Sequence, residues 1–305
     1  MNYTLHQLHV FSKIVQLKSI TKASEELFMT QPAVSIQLKN FQDQFEITLT
    51  EVIGRQLHVT DFGMEIYKSA ERILQEAYAI NYKTGAYKGL LSGRLQISVV
   101  STGKYVMPYF LSDFMQTHPE LDLVMDVTNK TKVIESLKNG AIDFALVSVL
   151  PEKLKVNEEV LLENELYFVA NTSFKISKPK LDKDDLESQP LIYREEGSAT
   201  RKIMEDYFSK RNIRARKKLE LTSNEAVKQA VIAGLGISIM PLIGIRSEIA
   251  KKTIKILPCT GLPIKTKWRL IWLKSKGLNP IAKAYIDYIK QSKNDIIKKH
   301  FSNRI

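Results

Sequence analysis

Apolar side chains recur at helical spacing from the first residues of the chain. Leu5, Leu8, Phe11, Ile14 and Val15 follow Thr4, and Gln7 stands three residues after that threonine. This is the pattern of a capping box opening an amphipathic helix. A second, shorter helix is predicted over residues 19–27, with Ile20, Ala23 and Leu27 on one face. Phe28 and Met29 make a tight connection. Thr30 then caps a third helix with Pro32 in its first turn, where a missing N–H costs nothing. Ala33, Val34, Leu38 and Phe41 continue that helix, and the small Ala23 permits the close crossing of a helix-turn-helix. Residues 49–63, LTEVIGRQLHVTDFG, read as two short strands around a turn at Gly54 (a wing), with Thr60 starting the next helix.

From Asp61 to about residue 88 the pattern stays helical and free of proline. Ile66, Ala70, Ile73, Ala77 and Ile80 alternate steps of four and three, a heptad seam suited to pairing two copies of the helix. The other reading is a long helix lying on its own domain. Gly85, Gly89 and Gly93 mark a short hinge after it.

Strand-like and helical runs then alternate. Strands are predicted at residues 95–100, 121–127, 144–149, 166–170, 191–193, 218–221, 236–240 and 268–273. Helices are predicted from Pro108, over 132–139, 200–212 and 224–233, and from Pro280. The alternation implies an α/β fold, a parallel sheet with helices on both faces. It falls into two similar lobes with crossings near residues 163–165 and 265–267, a hinged clamshell. Lobe I is assigned residues 90–164 and 266–305, and lobe II residues 165–265.

In such sheets ligands bind beyond the carboxyl ends of strands. Ser101 and Thr102 follow the first strand, Thr128 and Asn129 the second, and Ser148 lies near the end of the third. Arg194, Gly197, Ser198 and Thr200 lie across the cleft. Hydroxyls and free helix N–H groups make an anion site, and Arg194 would add a charged fork for carboxylate or phosphate. The plainer reading makes Thr102, Thr128 and Thr200 helix caps, and Asn224 the cap of its own helix.

Composition narrows the class. With 305 residues, 44% hydrophobic and 26% charged, the chain is ordinary for a globular protein of two domains with an appendage. Cys259 has no internal disulfide partner, which fits a reducing cytosol. The N-terminus reads as an amphipathic helix rather than a signal peptide, and no apolar run approaches the roughly 20 residues that span a bilayer. The net charge of +12 points to a polyanionic partner, but its location matters more. Within residues 1–60 five bases (Lys13, Lys18, Lys22, Lys39, Arg55) meet five acids (Glu25, Glu26, Asp43, Glu46, Glu51) and cancel. The excess lies in 201–218, 251–276 and the tail, read as solvated helix faces.

Catalytic constellations are missing. His6, His9, His58, His118 and His300 are scattered, with no metal-binding spacing, and no nucleophile elbow or Walker loop occurs. Gly234-Leu235-Gly236 lacks a third glycine and follows a helix, so it is not a dinucleotide fingerprint. Cys259 reads as a bystander thiol. The expectation is therefore no enzyme and no cofactor.

The N-terminal pattern resembles the LysR family of bacterial transcriptional regulators. The resemblance rests on Leu8, Phe11, the run Ser19-Ile20-Thr21-Lys22-Ala23-Ser24, Leu27, Thr30-Gln31-Pro32-Ala33-Val34-Ser35, Gln37, Leu38, and Gly54-Arg55 followed by Thr60 and Gly63. It continues through residues 101–123, 139–148, 194–201 and 222–241, the last two most like the subgroup regulating carbon-fixation operons and its sulfur- or nitrogen-assimilation relatives. Ile36, Glu46, Thr50 and Val52 depart from the usual family residues.

The resemblance implies a winged helix-turn-helix over residues 1–60, a linker and dimerisation helix over 61–89, and a two-lobed periplasmic-binding-protein-like effector domain over 90–305. The implied function is sequence-specific, effector-controlled regulation in the cytoplasm. The implied partners are operator DNA, a small anionic effector, RNA polymerase, and further copies forming a dimer or tetramer. On duplex DNA, Gln31 suits adenine, Ser35 several bases, Thr30 and the helix start a phosphate, Arg55 the minor groove, and Lys39 phosphate. Pro32 and Ala33 share the inserted first turn. Ile36 either touches a thymine methyl or simply packs. The rival reading is a solute-binding protein of a transport system, which would need export and no N-terminal reader.

Overall fold

A computed structural model describes residues 2–54, 56–87, 91–175, 178–214 and 216–302. They form two compact units, Met1–Gly93 and Arg94–Ile305.

In the first unit, α1 (Leu5–Leu17), α2 (Ile20–Glu26) and α3 (Gln31–Gln42) precede a hairpin of β1 (Thr50–Ile53) and β2 (Gln56–Val59), and α4 (Asp61–Tyr87) follows. Each of the first three helices starts at a hydroxyl. Thr4 and Gln7 form the expected reciprocal capping box, Ser19 accepts from the Lys22 amide at 3.3 Å, and Thr30 accepts from the Ala33 amide at 3.4 Å. Ala23 is fully buried where the helices cross, among Leu8, Phe11, Ile14, Val34, Leu38 and Phe41. The wing is anchored by Thr60, whose hydroxyl donates to the Thr48 carbonyl at 2.8 Å and accepts from the Gly63 amide at 2.9 Å.

The first half of α4 lies on its own domain. Ala70 and Leu74 are buried in the helix-turn-helix core and Ile66 packs against it. Ile73 and Ile80 stay 42% and 64% exposed, leaving an apolar seam uncovered. The heptad reading did not select Leu74. Gly89, part of the expected hinge, lies outside the described residues.

The second unit begins with β3 (Gly93–Val100), α5 (Met107–Thr117), β4 (Leu121–Thr128), α6 (Lys130–Lys138) and β5 (Phe144–Val147). Then come β6 (Val156–Asn171), α7 (Lys183–Glu187), β7 (Leu191–Arg194), α8 (Ala199–Ser209), β8 (Lys217–Leu221) and α9 (Asn224–Ile232). It closes with β9 (Ser238–Pro241), α10 (Arg246–Ala250), β10 (Ile254–Ile256), β11 (Ile264–Leu273) and α11 (Pro280–His300).

The sheet is mixed rather than parallel, which corrects the sequence expectation. β3 and β5 are parallel, but β11 runs antiparallel to both β5 and β6, and β9 and β10 are antiparallel to β6. The two expected crossings are not loops. They are the middle of one continuous ribbon in which the 16-residue β6 pairs with the 10-residue β11 through both lobes. The polar residues at the expected crossings are cross-strand partners. Asn164 donates to the Thr266 hydroxyl at 2.9 Å, Lys265 pairs with Glu165 at 3.6 Å, and Arg269 pairs with Glu158 at 3.0 Å.

Strand alternation distributes β6 between two cores. Phe168 and Ala170 join Leu191, Tyr207, Phe208 and Ile237 on one face, while Val169 joins Val227, Val231, Met240 and Ile254 on the other. In lobe I, Tyr285 of α11 meets the rings of Phe114 and Phe144 at 5.0 and 5.6 Å, and Trp268 is wholly buried.

The Gly-Leu-Gly run has a packing role. A Cβ at Gly236 would lie 2.3 Å from the Pro190 carbonyl oxygen, so only glycine lets this segment reach β7. Gly236→Ala is expected to destabilise the protein by about 2 kcal/mol through this overlap. Urea denaturation checks this, and an unchanged midpoint would refute the close approach.

Candidate functional site

Two surfaces carry the chemistry, one in each unit. The first is the outer face of α3. Val34, Leu38 and Phe41 are buried beneath it. Gln31, Pro32, Ser35, Ile36 and Lys39 are exposed along one stripe, with Ala33 half-buried at its edge. The helix therefore presents its own N-terminus, a short row of hydrogen-bonding groups and one ammonium. Ile36 is 56% exposed, which decides against packing and leaves its side chain available to an outside partner. Gly54 makes the wing turn at φ +57°. Arg55, the expected minor-groove residue, lies outside the described residues.

The second surface lies where β3, β4, β5 and β7 end. Thr102, Ser148, Arg194, Ser198 and Thr200 are all buried, although polar, and Ser101, Thr128 and Asn129 are half-buried. The capping explanation fails for the three threonines. Thr102 makes no capping hydrogen bond, Thr128 ends β4, and Thr200 sits inside α8, whose flanking residue is Ser198. Asn129 is the true cap of α6, accepting from the Lys132 amide at 3.0 Å. Ser223, rather than Asn224, caps α9 through the Ala226 amide at 3.0 Å. Asn224 is instead the first helical residue and is buried.

Arg194 is placed differently from expectation. Its fork is closed on Glu195, Nε to Oε2 at 2.7 Å and Nη2 to Oε1 at 2.9 Å. A bidentate carboxylate partner is what makes burial of this guanidinium tolerable. An anion would meet an already engaged Arg194.

Next to these buried groups an open groove of about 730 Å³ runs between α6, the β5–β6 connection and the start of α8. Of the residues singled out from sequence, Gly197 and Ser198 line it. Ser101, Thr102, Thr128, Ser148, Arg194 and Thr200 do not. The lobes meet at this groove: a Cβ on Gly197 would lie 2.5 Å from the Thr131 hydroxyl. Among its charges, Lys130 was not singled out in the sequence, whereas Arg201 and Lys202 open the 201–218 basic cluster that reads there as a solvated helix face. The signal was present, because Lys130 directly follows Asn129, and Arg201-Lys202 directly follows Thr200. Burial lowers the Lys130 pKa, and its ammonium donates to the Leu150 carbonyl at 3.2 Å. Arg201 is held by Glu205 at 2.7 Å and Glu220 at 2.9 Å.

Cys259 is buried, and burial pushes its thiol up to about 12. No group of three or more potential metal ligands occurs among the described residues, and no helix there is long and apolar enough to cross a membrane.

Comparison with known proteins places both surfaces in one context. Residues 5–64 match the bacterial regulatory helix-turn-helix protein, lysR family, and residues 88–294 match the LysR substrate binding domain. The chain is 35% identical to the HTH-type transcriptional activator CmpR of Synechocystis, over 94% of this chain and 95% of that protein. It is 33% identical to a RuBisCO operon transcriptional regulator of Allochromatium vinosum, over 95% and 96%. Among solved structures it is similar to the Synechocystis PCC6803 CcmR regulatory domain in complex with 2-PG. That likeness has 32% identity and a TM-score of 0.63, over 67% of this chain and 99% of that one. Full-length CbnR complexed with its target DNA has the same fold, with 21% identity and a TM-score of 0.69 over 95% and 100%.

The closed Arg194–Glu195 pair makes a stability prediction. Glu195→Ala leaves a buried guanidinium without its partner and is expected to cost about 3 kcal/mol. Chemical denaturation of the variant reads this directly; wild-type stability would mean that the pair does not support the burial of Arg194.

Proposed function

The chain belongs to the LysR family of bacterial helix-turn-helix regulators, and from that premise we propose that α3 reads an operator while an anionic metabolite, held by the effector domain, sets the grip. The observation that carries the reading is the exposed stripe on α3. A capped helix start beside Gln31 and Ser35, over a buried apolar underside, is the arrangement that enters a major groove. Thr30 and the free amides of the first turn face a phosphate. Gln31 and Ser35 face base edges, with Pro32 and Ala33 close behind. Ile36 meets a thymine methyl, Lys39 a phosphate, and Arg55 the adjacent minor groove.

The unit carrying α3 is near neutral in charge, so one copy gains little from non-specific attraction. Two copies joined through α4 solve this, because the second contact becomes intramolecular. Ile73 and Ile80 are the exposed part of that seam, with Ile66, Ala70 and Ala77 in register with them. A dimer, or a tetramer of two dimers, is the proposed assembly. It works in the cytoplasm on duplex DNA, with RNA polymerase as a further partner.

In the effector domain the hydroxyls of Ser101, Thr102, Thr128, Ser148, Ser198 and Thr200 are the proposed donors to the metabolite, with Asn129 and Arg194 at the edge. The 2-PG found with the CcmR regulatory domain supports a small anionic ligand of this kind. The ligand shifts the protein between two arrangements only as far as it binds one better than the other. The transport reading is not favoured, because family likeness extends over the helix-turn-helix as well as the two lobes.

Two experiments test the reading. Gln31→Ala and Ser35→Ala are each expected to lose about 1–3 kcal/mol of discrimination between a selected operator and random duplex. Footprinting titrations showing unchanged preference in both would remove α3 from base reading. Thr102→Val and Thr200→Val are expected to abolish the response to 2-PG while operator binding persists. Calorimetry giving wild-type 2-PG affinity in both would place the ligand elsewhere.

A further inference from the structure

Away from the groove, the two lobes touch through a second set of side chains. On the lobe I side is the turn after β3, residues 101–105. On the lobe II side are the start of α9 and the segment after β9. The Asn224 amide donates to the Ser101 hydroxyl oxygen at 3.3 Å. The Tyr105 hydroxyl donates to Glu225 Oε2 at 3.2 Å. The Tyr105 ring lies against Gly244, where a Cβ would come within 2.9 Å of the ring carbon Cε2. Beneath them Lys228, only 7% exposed, is held between Glu225 at 3.1 Å and Glu248 at 2.8 Å. Its ammonium lies 6.0 Å from the centre of the Tyr105 ring.

We propose that Tyr105, Glu225 and Lys228 form a clasp between the lobes that positions Ser101 for the effector. The hydroxyl of Ser101 offers one donor and two acceptor lone pairs. The amide of Asn224 occupies the acceptor side. The O–H proton is left to donate, and a donor is what an anion requires. The clasp and the ligand therefore use opposite sides of one oxygen and support each other.

Each member has a distinct task. Glu225 accepts from Tyr105 across the lobe boundary. Lys228 ties Glu225 to Glu248, so the acceptor is fixed to lobe II at two points. Gly244 leaves room for the ring. Tyr105 sits on the same turn as Ser101, so holding the ring holds the serine. By linkage, a clasp that raises affinity for the effector must itself be tightened by the effector to the same factor.

The positioning role depends on the reading that Ser101 donates to an anion; the clasp itself does not. Hydrogen–deuterium exchange on the full-length protein separates the two. Tyr105→Phe keeps the ring and removes only the hydroxyl. It is expected to speed exchange of the Asn224 amide and of residues 101–105 about tenfold without ligand, leaving α11 unchanged. Glu225→Ala is expected to do the same, and Glu225→Gln, whose amide oxygen still accepts, to restore most of the protection. Exchange at wild-type rates in Tyr105→Phe would overturn the clasp. With 2-PG as the probe, wild-type protein should gain protection at Asn224, and Tyr105→Phe should bind three- to tenfold more weakly. Equal affinity in the two proteins would overturn the positioning role. Absence of 2-PG binding to the wild type would count against the effector reading, and the exchange rates without ligand would still decide the clasp.

Discussion

The antiparallel pairing of β6 with β11 is the constraint on which the effector domain depends. A strand that passes through two lobes contributes alternate residues to cores on both sides of its sheet. Phe168 and Val169 are neighbours in sequence but belong to different clusters. Because β6 pairs with β11 through both lobes, the lobes cannot separate without breaking that backbone pairing, and they meet again at Gly197 with Thr131 and at Tyr105 with Glu225. A ligand held between lobes joined in this way would shift their closure only as far as it binds one arrangement better than the other.

The N-terminal unit solves a different problem. Its three short helices bury one apolar cluster around Ala23 and Phe41, extended by Ala70 and Leu74 of α4. That burial uses the inner faces of the helices and leaves Gln31, Pro32, Ser35, Ile36 and Lys39 exposed on the outer face of α3. The same division runs along α4. Its first half packs into the domain, and Ile73 and Ile80 farther along stay exposed. Charge does little of the work here, because the unit is balanced, and the basic excess of the chain lies elsewhere.

What could be read from sequence follows the range of the interactions. The capping box at Thr4 and Gln7, the cap at Thr30 and the crossing at Ala23 are local, and their residues declare them. The course of β6 is not local. Glu163, Asn164 and Glu165 read as a short crossing, and their pairing with β11, about a hundred positions later, is not visible locally. Caps were misplaced by one residue where neighbours are equally competent, as at Thr128-Asn129 and Ser223-Asn224. In the candidate site, the buried hydroxyls were legible because they follow strand ends. The closure of Arg194 on Glu195 was not, since it depends on side-chain direction, while the basic lining of the groove stands one position beyond the hydroxyls. Leu74 escaped the heptad count because its contacts are with the helix-turn-helix rather than with a second α4.

If α3 reads DNA, this protein recognises a particular duplex sequence. Selection of binding sites by the purified full-length protein from a random duplex pool, sequenced over successive rounds, tests it most directly. Enrichment of one partly symmetric sequence is expected, with affinity for it altered when 2-PG is added. A pool that stays random after repeated rounds, with and without 2-PG or cell extract, would contradict it.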